Sequence, residues 1–285
     1  MRGAPGMQTA DFNFSNEDFE LIARYAAQSY GLDIKIEKKG LIYARLARRI
    51  RALGMDSFKS YCAFATGTQA GPEREELLSA LTTNVTSFFR ERHHFDMLRD
   101  RVLPNLRDKV QRGGALRIWS AGCSSGQEPY SIAATILETW PDAAQFDIQI
   151  HATDVDPRIV QMAEVGSYRA LEADGLAPQL QKSLFTASSL TGDTRTILPT
   201  LHKWVTFDRL NLIRNWSFPT PFDVIFCRNV VIYFERATQH TLWGKFSTCL
   251  APSGHLFIGH SERLTGPAAS KFENVGVTAF VKSAP

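Results

Sequence analysis

Hydrophobic residues in the first 80 positions recur at the spacing of an α-helix. Four of them lie three or four residues apart and predict a helix over residues 37–53, which Gly54 would end as a C-cap glycine. The four are Ile42, Leu46, Ile50 and Leu53. Ser15 has the position of an N-cap for an earlier helix, and further helices are predicted over 58–64 and 73–81. Strand-like alternation is not found in this region, so we predict a small all-helical N-terminal domain over residues 1–85.

The pattern changes at about Arg117, where short apolar runs begin to alternate with helical segments. Strands are predicted over 115–121, 146–152, 222–227 and 255–259, and helices over 128–140, from 156 onward, and over 236–250. This alternation indicates an α/β domain over residues 86–285, with a parallel sheet covered on both faces. Residues 166–207 break the rhythm, and we interpret them as an insertion that contains a small antiparallel element.

Composition agrees with a folded protein, and the charge is unevenly placed. The 285 residues are 44% hydrophobic and 21% charged, which is typical of globular proteins. The net charge is +3, and residues 1–115 hold 18 Lys and Arg against 14 Asp and Glu. Between Lys35 and Arg51 seven basic residues accompany one acid, Glu37. That surplus is too small for a nucleic-acid binder; it fits either a solvated helix face or a docking surface for an acidic partner.

Membrane insertion and export are not expected. The chain contains no apolar run near the roughly 20 residues that span a bilayer, and its first residues lack the apolar core of a signal peptide. The four cysteines form no C-x-x-C pair and are expected to be reduced thiols of a cytoplasmic protein. His93 and His94 have no spaced partner, so we expect no metal.

The segment 122–126 carries the first candidate chemistry, and it can be interpreted as a hydrolase motif. Its sequence, Gly-Cys-Ser-Ser-Gly, matches G-x-S-x-G between a strand and a helix, the context of a nucleophile elbow at Ser124. Asp223 follows, and then His255 and His260, in the order Ser, Asp, His. The elbow would lie on the first strand, however, with no earlier loop to build an oxyanion hole.

The same segment also fits a nucleoside site, or a tight turn without a ligand. Glycines allow the backbone to approach a ligand closely, and an acid after the next strand can accept hydrogen bonds from ribose hydroxyls. Asp154 has that position, although the glycines do not form the G-x-G-x-x-G of a dinucleotide site. The pattern favours the nucleoside site and leaves the other two interpretations open.

Five segments resemble the bacterial chemotaxis-receptor glutamate O-methyltransferase family, in the same order and at similar spacing. They are residues 81–95, 119–131, 152–156, 211–212 and 222–234. Five ordered motifs are far more specific than G-x-S-x-G alone. The resemblance implies a class I, Rossmann-like S-adenosylmethionine-dependent domain with a small antiparallel β insertion, preceded by an all-α domain.

The resemblance also implies the function and the site. The expected reaction is methyl transfer from S-adenosyl-L-methionine, with S-adenosyl-L-homocysteine as product, to glutamates in the cytoplasmic domain of methyl-accepting chemotaxis receptors. We expect a monomer. The matching cofactor-binding positions are Asn84, Thr86, Arg90, Glu128, Asp154, Asn211, Leu212, Arg228 and Asn229. Arg90 and Tyr233 match the catalytic positions, and Gln127 departs from the family, where an acid is common.

Each residue has a simpler interpretation by itself. Arg90 could be an exposed arginine at the start of a helix, and Tyr233 could belong to the core. Asp156, followed by proline, is expected to cap a helix. A rival function is a non-catalytic regulatory module. In some members of the family the insertion binds a peptide at the receptor C-terminus, and residues 186–198 do not decide whether this one does.

Overall fold

The computed structural model describes residues 12–283. The first residues of the chain, which we do not expect to form a signal peptide, lie outside the described range. Contacts divide the chain into two units between Thr82 and Thr83, three residues before the boundary placed by sequence. Within residues 12–283, no helix is both long and apolar enough to cross a membrane.

The first unit is helical. Its helices are α1 (Asn16–Tyr30), α2 (Lys39–Ala52), α3 (Phe58–Thr66) and α4 (Glu73–Leu81). Ser15 caps α1 through a capping box with Asp18, as its sequence position predicted. Gly54 follows α2 with φ +64°, the left-handed conformation that favours glycine. Apolar side chains from all four helices form one core.

Two arginines of α2 are structural, so the basic stretch is not as a whole a solvated helix face or a docking surface. Arg49 donates three hydrogen bonds of 2.6–2.9 Å to the buried carboxylate of Glu73, which also accepts one from the Tyr61 hydroxyl. Arg45 donates to the carbonyls of Ala80 and Thr82 at the end of α4. These side chains hold α2 against α4, whereas Arg48 is exposed.

The second unit is an α/β domain around a seven-stranded sheet in the order β5-β2-β1-β6-β7-β9-β8. The strands are β1 (Leu116–Ala121), β2 (Ile148–Asp154), β5 (Val205–Arg209), β6 (Phe222–Cys227), β7 (Leu250–Ile258), β8 (Phe272–Gly276) and β9 (Ala279–Lys282). The first five in that order are parallel, and β9 runs antiparallel between β7 and β8. Every residue of β6 is buried, as expected for a central strand covered on both faces.

Helices and a two-stranded sheet complete this unit. The helices are α5 (His93–Met97), α6 (Leu103–Gln111), α7 (Gln127–Thr139), α8 (Pro157–Val165), α9 (Pro178–Leu184), α10 (Pro199–Trp204) and α11 (Arg236–Cys249). A π-helical segment, Leu98–Val102, joins α5 to α6. Strands β3 (Ser167–Arg169) and β4 (Thr194–Thr196) pair in an antiparallel sheet, the element predicted inside the insertion.

The sequence missed three strands of the main sheet. Strand β5 lies partly within the predicted insertion 166–207, yet it pairs in parallel with β2. It is an edge strand of five residues with only two apolar positions, Val205 and Phe207, so its alternation is too short to separate it from the insertion. Strands β8 and β9 are four or five residues long and have mixed exposure, which left no clear period in the sequence.

Candidate cofactor site

The carboxyl ends of the parallel strands bring together segments that are far apart in the chain. The glycine loop 122–126 follows β1, Asp154 ends β2, residues 210–212 follow β5, and residues 228–233 follow β6. In an α/β sheet, ligands bind at this edge. The topology therefore places four of the five resembling segments around one end of the sheet.

The glycine loop has the backbone that its sequence requires. Gly122 and Gly126 have φ values of +88° and +93°, and Ser124 also has a positive φ of +49°. A Cβ on Gly122 would lie 2.3 Å from a methyl carbon of Val230, so this position admits only glycine. The loop after β1 thus packs directly against the loop after β6.

Asp154 organises the loops on both sides of it. Its Oδ2 accepts the backbone N–H of Ser124 at 2.9 Å, and its Oδ1 accepts that of Asp156 at 3.1 Å. Its backbone carbonyl accepts the N–H of Leu210, which ties the segment after β5 to the same residue. Burial raises the pKa of Asp154 despite these hydrogen bonds, so a ligand that donates hydrogen bonds would stabilise the carboxylate.

Asp156 and Asn84 connect the segment before α5 to this edge. Asp156 caps α8 by accepting the N–H of Arg158, as the sequence predicted. Its other oxygen accepts the Asn84 side-chain amide at 3.1 Å, and the Asn84 carbonyl accepts the Ser124 hydroxyl at 3.2 Å. Asn84 is thereby held beside both the glycine loop and the helix after β2.

Arg228 is buried between two carboxylates. Its guanidinium lies 3.1 Å from Glu128 Oε2 and 3.3 Å from Glu91 Oε2, and it also donates to the carbonyl of Arg90. Burial raises the pKa of Glu128 even though Arg228 and the Ser120 hydroxyl, at 2.7 Å, act against it. Burial acts in the same direction on Glu91, but a hydrogen bond from His260 and the charge of Arg228 outweigh it and bring its pKa to about 2.

The turn around Arg90 has an unusual backbone. Phe89 and Glu91, the residues on either side, have φ values of +52° and +56°. Such conformations are unfavourable for residues other than glycine and persist only where the surroundings hold them. Here the Phe89 N–H donates to the Ser131 hydroxyl at 2.9 Å. The half-buried Arg90 side chain donates to the Val85 carbonyl at 2.9 Å.

The remaining predicted residues lie on the same loops. Asn211 is half-buried and accepts the N–H of Ile213, while Leu212 is buried. Asn229 has a φ of +59° and donates its side-chain amide to Glu91 at 3.2 Å. Thr86 and Tyr233 are half-buried, Tyr233 at the end of a 3-10 turn after β6.

Two acids at this edge, Glu91 and Glu262, are not among the residues predicted from the sequence. Glu91 adjoins Arg90 within the resembling segment 81–95, and this position is the signal that could have identified it. Glu262 lies in the loop after β7 with no motif of its own, yet it is buried and accepts several backbone N–H groups of the loop after β6. No pattern in the sequence could have identified it.

The hydrolase interpretation is wrong because Asp223 and His255 lie at the opposite end of the sheet from Ser124, and the Ser124 hydroxyl donates to the Asn84 carbonyl rather than to a histidine. Ser124 follows the end of β1, whereas Asp223 is near the start of β6 and pairs with Lys109 at 2.6 Å. His255 is in register with Val224 near that same end, and the His260 ring contacts Glu91 at 2.9 Å. Ser124 therefore has no base and acid of the required kind beside it.

One group of side chains in the described part of the chain has the spacing of metal ligands. Glu91, His93 and His94 place ligand atoms within 4.8 Å of one another. Arg228 already compensates Glu91, and burial, with the charge of Arg228, lowers the pKa of His94 to about 3. A divalent cation here would meet a guanidinium at close range, so we assign no metal to this group.

The donors and acceptors at this edge suit S-adenosylmethionine. Carboxylates such as Asp154 and Glu128 offer about four acceptor positions each, enough to accept ribose hydroxyls or an ammonium group in addition to their protein partners. Arg90 carries a guanidinium, and Asn84 and Asn211 carry amides, which are groups able to hydrogen-bond a carboxylate and the polar atoms of an adenosine. The strand order and this site define a class I S-adenosylmethionine-dependent methyltransferase.

Comparison with known proteins identifies the family. Residues 84–281 match the model "CheR methyltransferase, SAM binding domain", and residues 17–82 match "CheR methyltransferase, all-alpha domain". The chain belongs to the CheR methyltransferase family, and its cofactor is S-adenosylmethionine.

Curated relatives extend over most of the chain. A probable chemotaxis protein methyltransferase of Rhizobium etli is 44% identical over 251 residues, which are 88% of this chain and 94% of that protein. The chemotaxis protein methyltransferase of Salmonella typhimurium is 36% identical over 94% of this chain and 91% of its own length. Chemotaxis protein methyltransferase 2 of Pseudomonas aeruginosa is 36% identical over 97% of each chain.

Proposed function

We propose that this methyltransferase esterifies the γ-carboxylates of glutamates in the cytoplasmic domain of methyl-accepting chemotaxis receptors. The names of its relatives support a role in chemotaxis. The observation that carries the proposal is Arg90, which is held on a turn with left-handed backbone on either side. Its carbonyl accepts a hydrogen bond from Arg228 of the Glu91–Arg228–Glu128 cluster, and its half-buried guanidinium donates to the Val85 carbonyl.

The acceptor needs no general base in this reaction. A glutamate side chain has an unperturbed pKa near 4.3, so it is already an anionic nucleophile at pH 7. Bound S-adenosylmethionine supplies an activated methyl group. The protein must therefore align the acceptor oxygen with the methyl carbon and exclude water, which is catalysis by orientation.

The residues divide between holding the cofactor and orienting the reacting groups. We assign cofactor binding to Asn84, Thr86, Arg90, Glu128, Asp154, Asn211, Leu212, Arg228 and Asn229. Asp154 and Glu128 accept hydrogen bonds from the ribose hydroxyls or the amino group. The two Nη groups of Arg228 contact Glu91, Glu128 and the carbonyl of Arg90, so its side chain contributes by holding Glu128 in position.

Arg90 and Tyr233 are the catalytic residues of the proposal. Arg90 orients a carboxylate, either that of the cofactor or that of the receptor glutamate. Tyr233 lies on the loop after β6 and positions the reacting groups by hydrogen bonding. We expect Arg90→Ala and Tyr233→Phe to lower kcat/KM at least tenfold, about 1.4 kcal/mol of transition-state stabilisation.

The test detects the methyl ester by its lability in alkali and identifies the acceptor by mutation of the receptor fragment. The protein is incubated with methyl-labelled S-adenosylmethionine and the purified cytoplasmic fragment of a chemotaxis receptor from the same organism. Glutamyl methyl esters release labelled methanol in mild alkali, whereas N-methyl groups do not. Replacing the labelled glutamates of the fragment by alanine must abolish labelling.

Calorimetry with S-adenosylhomocysteine separates the possible failures. Binding without alkali-labile label on any receptor fragment would contradict the glutamate acceptor but leave the cofactor site intact. No detectable binding at millimolar ligand would contradict the proposed cofactor site and favour a non-catalytic module.

A further inference from the structure

Glu262 is a buried acid in the loop after β7, outside the resembling segments. Its side chain is 3% exposed and accepts five backbone N–H groups. They belong to Gly259 at 2.5 Å and Asn229 at 3.1 Å on Oε2, and to Val230 at 2.9 Å, Val231 at 2.7 Å and Ile232 at 3.4 Å on Oε1.

Four of these donors are consecutive residues of the loop after β6. Successive N–H groups can point at one place only if the backbone turns sharply, and Asn229 has a φ of +59° while Val231–Tyr233 form a 3-10 turn. Such a concave array of amides is an anion-binding arrangement. Here the anion is a side chain of the protein itself, and it fixes the shape of the loop.

The loops after β6 and β7 are closely packed at Gly259. A Cβ at this position would lie 2.6 Å from the side-chain nitrogen of Asn229, 2.7 Å from its backbone nitrogen and 3.0 Å from Glu262 Oε2. Any side chain here would force the loop after β6 away from Glu262. The close contact between the ends of β6 and β7 therefore depends on both residues.

The loop held in this way belongs to the site. It carries Asn229, whose amide donates to Glu91, and Tyr233 at the end of the turn. Val230, between them, packs against Gly122 of the glycine loop, where a Cβ would lie only 2.3 Å away. A shift of this loop would be transmitted both to the glycine loop and to Tyr233.

We infer that Glu262 is a positioning residue for methyl transfer, which holds residues 229–233 in the conformation that the cofactor and the acceptor require. The inference rests on the proposed roles of Asn229 and Tyr233. It needs no contact between Glu262 and either ligand.

The test uses Glu262→Gln, which keeps the size and shape of the side chain. Its NH₂ group must face either the two donors on Oε2 or the three on Oε1, so donor meets donor and the loop must move. We expect the Kd for S-adenosylhomocysteine to rise at least fivefold and kcat for receptor methylation to fall at least tenfold. Gly259→Ala is also expected to raise Kd and lower kcat, because its methyl group would push the loop after β6 away from Glu262.

Two controls separate positioning from a general loss of stability. Val110→Ala removes buried core on α6, away from the loop, and should lower Tm without changing Kd or kcat. Glu235→Gln removes an exposed acid two residues after Tyr233 and should leave Tm, Kd and kcat unchanged. All variants are compared at a temperature where circular dichroism shows them folded.

A double-mutant cycle supplies the decisive readout. If Glu262 acts through Tyr233, Glu262→Gln will lower kcat less than twofold further in the Tyr233→Phe background. An equal loss of kcat in both backgrounds would overturn the inference, as would a Kd and kcat within twofold of wild type in Glu262→Gln. If the wild-type protein methylates no receptor glutamate, the acceptor proposal fails, and Glu262 is then judged on its Kd for S-adenosylhomocysteine alone.

Discussion

Ser124 donates its backbone N–H to Asp154 Oδ2 at 2.9 Å, so the glycine loop after β1 and the acid that ends β2 form one hydrogen-bonded unit. The second Asp154 oxygen accepts the N–H of Asp156, which begins the turn into α8. The residue that we expect to bind the ribose thus also fixes the loop beside it. Shape and ligand recognition cannot be changed separately at this position.

The first prediction concerns Asp154→Asn. Its amide would turn a donor toward the N–H of either Ser124 or Asp156 and would lose a charged acceptor for the cofactor. Hydrogen bonds to charged groups contribute about 1.5–3 kcal/mol, so the Kd for S-adenosylhomocysteine should rise roughly 10- to 150-fold. Calorimetry measures it. The control is Asp208→Asn on β5, a carboxylate that is 63% exposed; equal affinities for both variants would contradict the assignment.

The second prediction concerns the buried guanidinium. Arg228→Met removes the cation from Glu91 and Glu128, whose side chains are only 11% and 12% exposed, and breaking a buried ion pair on one side destabilises a protein by about 3–5 kcal/mol. Urea unfolding should show this loss, and Glu128→Gln in the same chain should recover part of it. Arg236→Met, at an exposed position at the start of α11, should change stability little. A loss below about 1 kcal/mol for Arg228→Met would show that the cluster is not held by charge.

The third prediction concerns pH. The pKa of Glu91 is lowered from 4.5 to about 2, so its carboxylate stabilises the folded state fully above pH 4.5. This contribution is lost as the pH falls from about 4.5 toward about 2, because the unfolded chain takes up the proton first. The difference in unfolding free energy between wild type and Glu91→Gln should therefore shrink over that window. Asp154, whose pKa is raised, is present in both proteins and cancels. Glu128 does not cancel completely, because the charge of Glu91 contributes to its raised pKa, so Glu128→Gln is introduced into both proteins for this comparison. A constant difference from pH 6 to pH 3 would contradict the prediction.

The fourth prediction concerns the basic helix α2. Reversal of Arg45, Arg48 and Arg49 together would not test docking, because two of these side chains hold the first unit together. Arg48→Glu alone changes an exposed charge, and we expect it to raise the KM for the receptor a few-fold at low salt. The Kd for S-adenosylhomocysteine should stay the same, and Lys59→Glu on α3 is the matched control. Loss of the effect at high salt would agree with a screened surface contact, whereas equal KM values for the two variants would leave α2 a solvated face.

Arg49→Glu should behave differently from Arg48→Glu. It places a carboxylate against Glu73, which is 4% exposed and also bound by the Tyr61 hydroxyl. We expect it to destabilise the first unit by at least about 3 kcal/mol, measured by urea unfolding. A variant as stable as wild type would show that the Arg49–Glu73 pair contributes little.

Local sequence was sufficient for the elements with a clear signal. The N-cap at Ser15, the cap at Asp156 and the strands β1 and β6 depend on neighbouring residues and on runs of apolar positions, and these were predicted correctly. The short strands β5, β8 and β9 were not predicted. Strand β5 alternates apolar and polar residues over only four positions, and its place in the main sheet follows from its pairing with β2.

The site shows the same division. Sequence alone determined which side chains could bind a nucleoside and, through five ordered motifs, the family to which the chain belongs. Only the tertiary structure decided what each one touches. It separated Asp223 from Ser124, enclosed Arg228 between Glu91 and Glu128, and brought Glu262 to the loop after β6. These contacts of Arg228 and Glu262 join residues 30 to 137 positions apart, and burial, which sets the strength and the pKa of each pair, exists only after the sheet has formed.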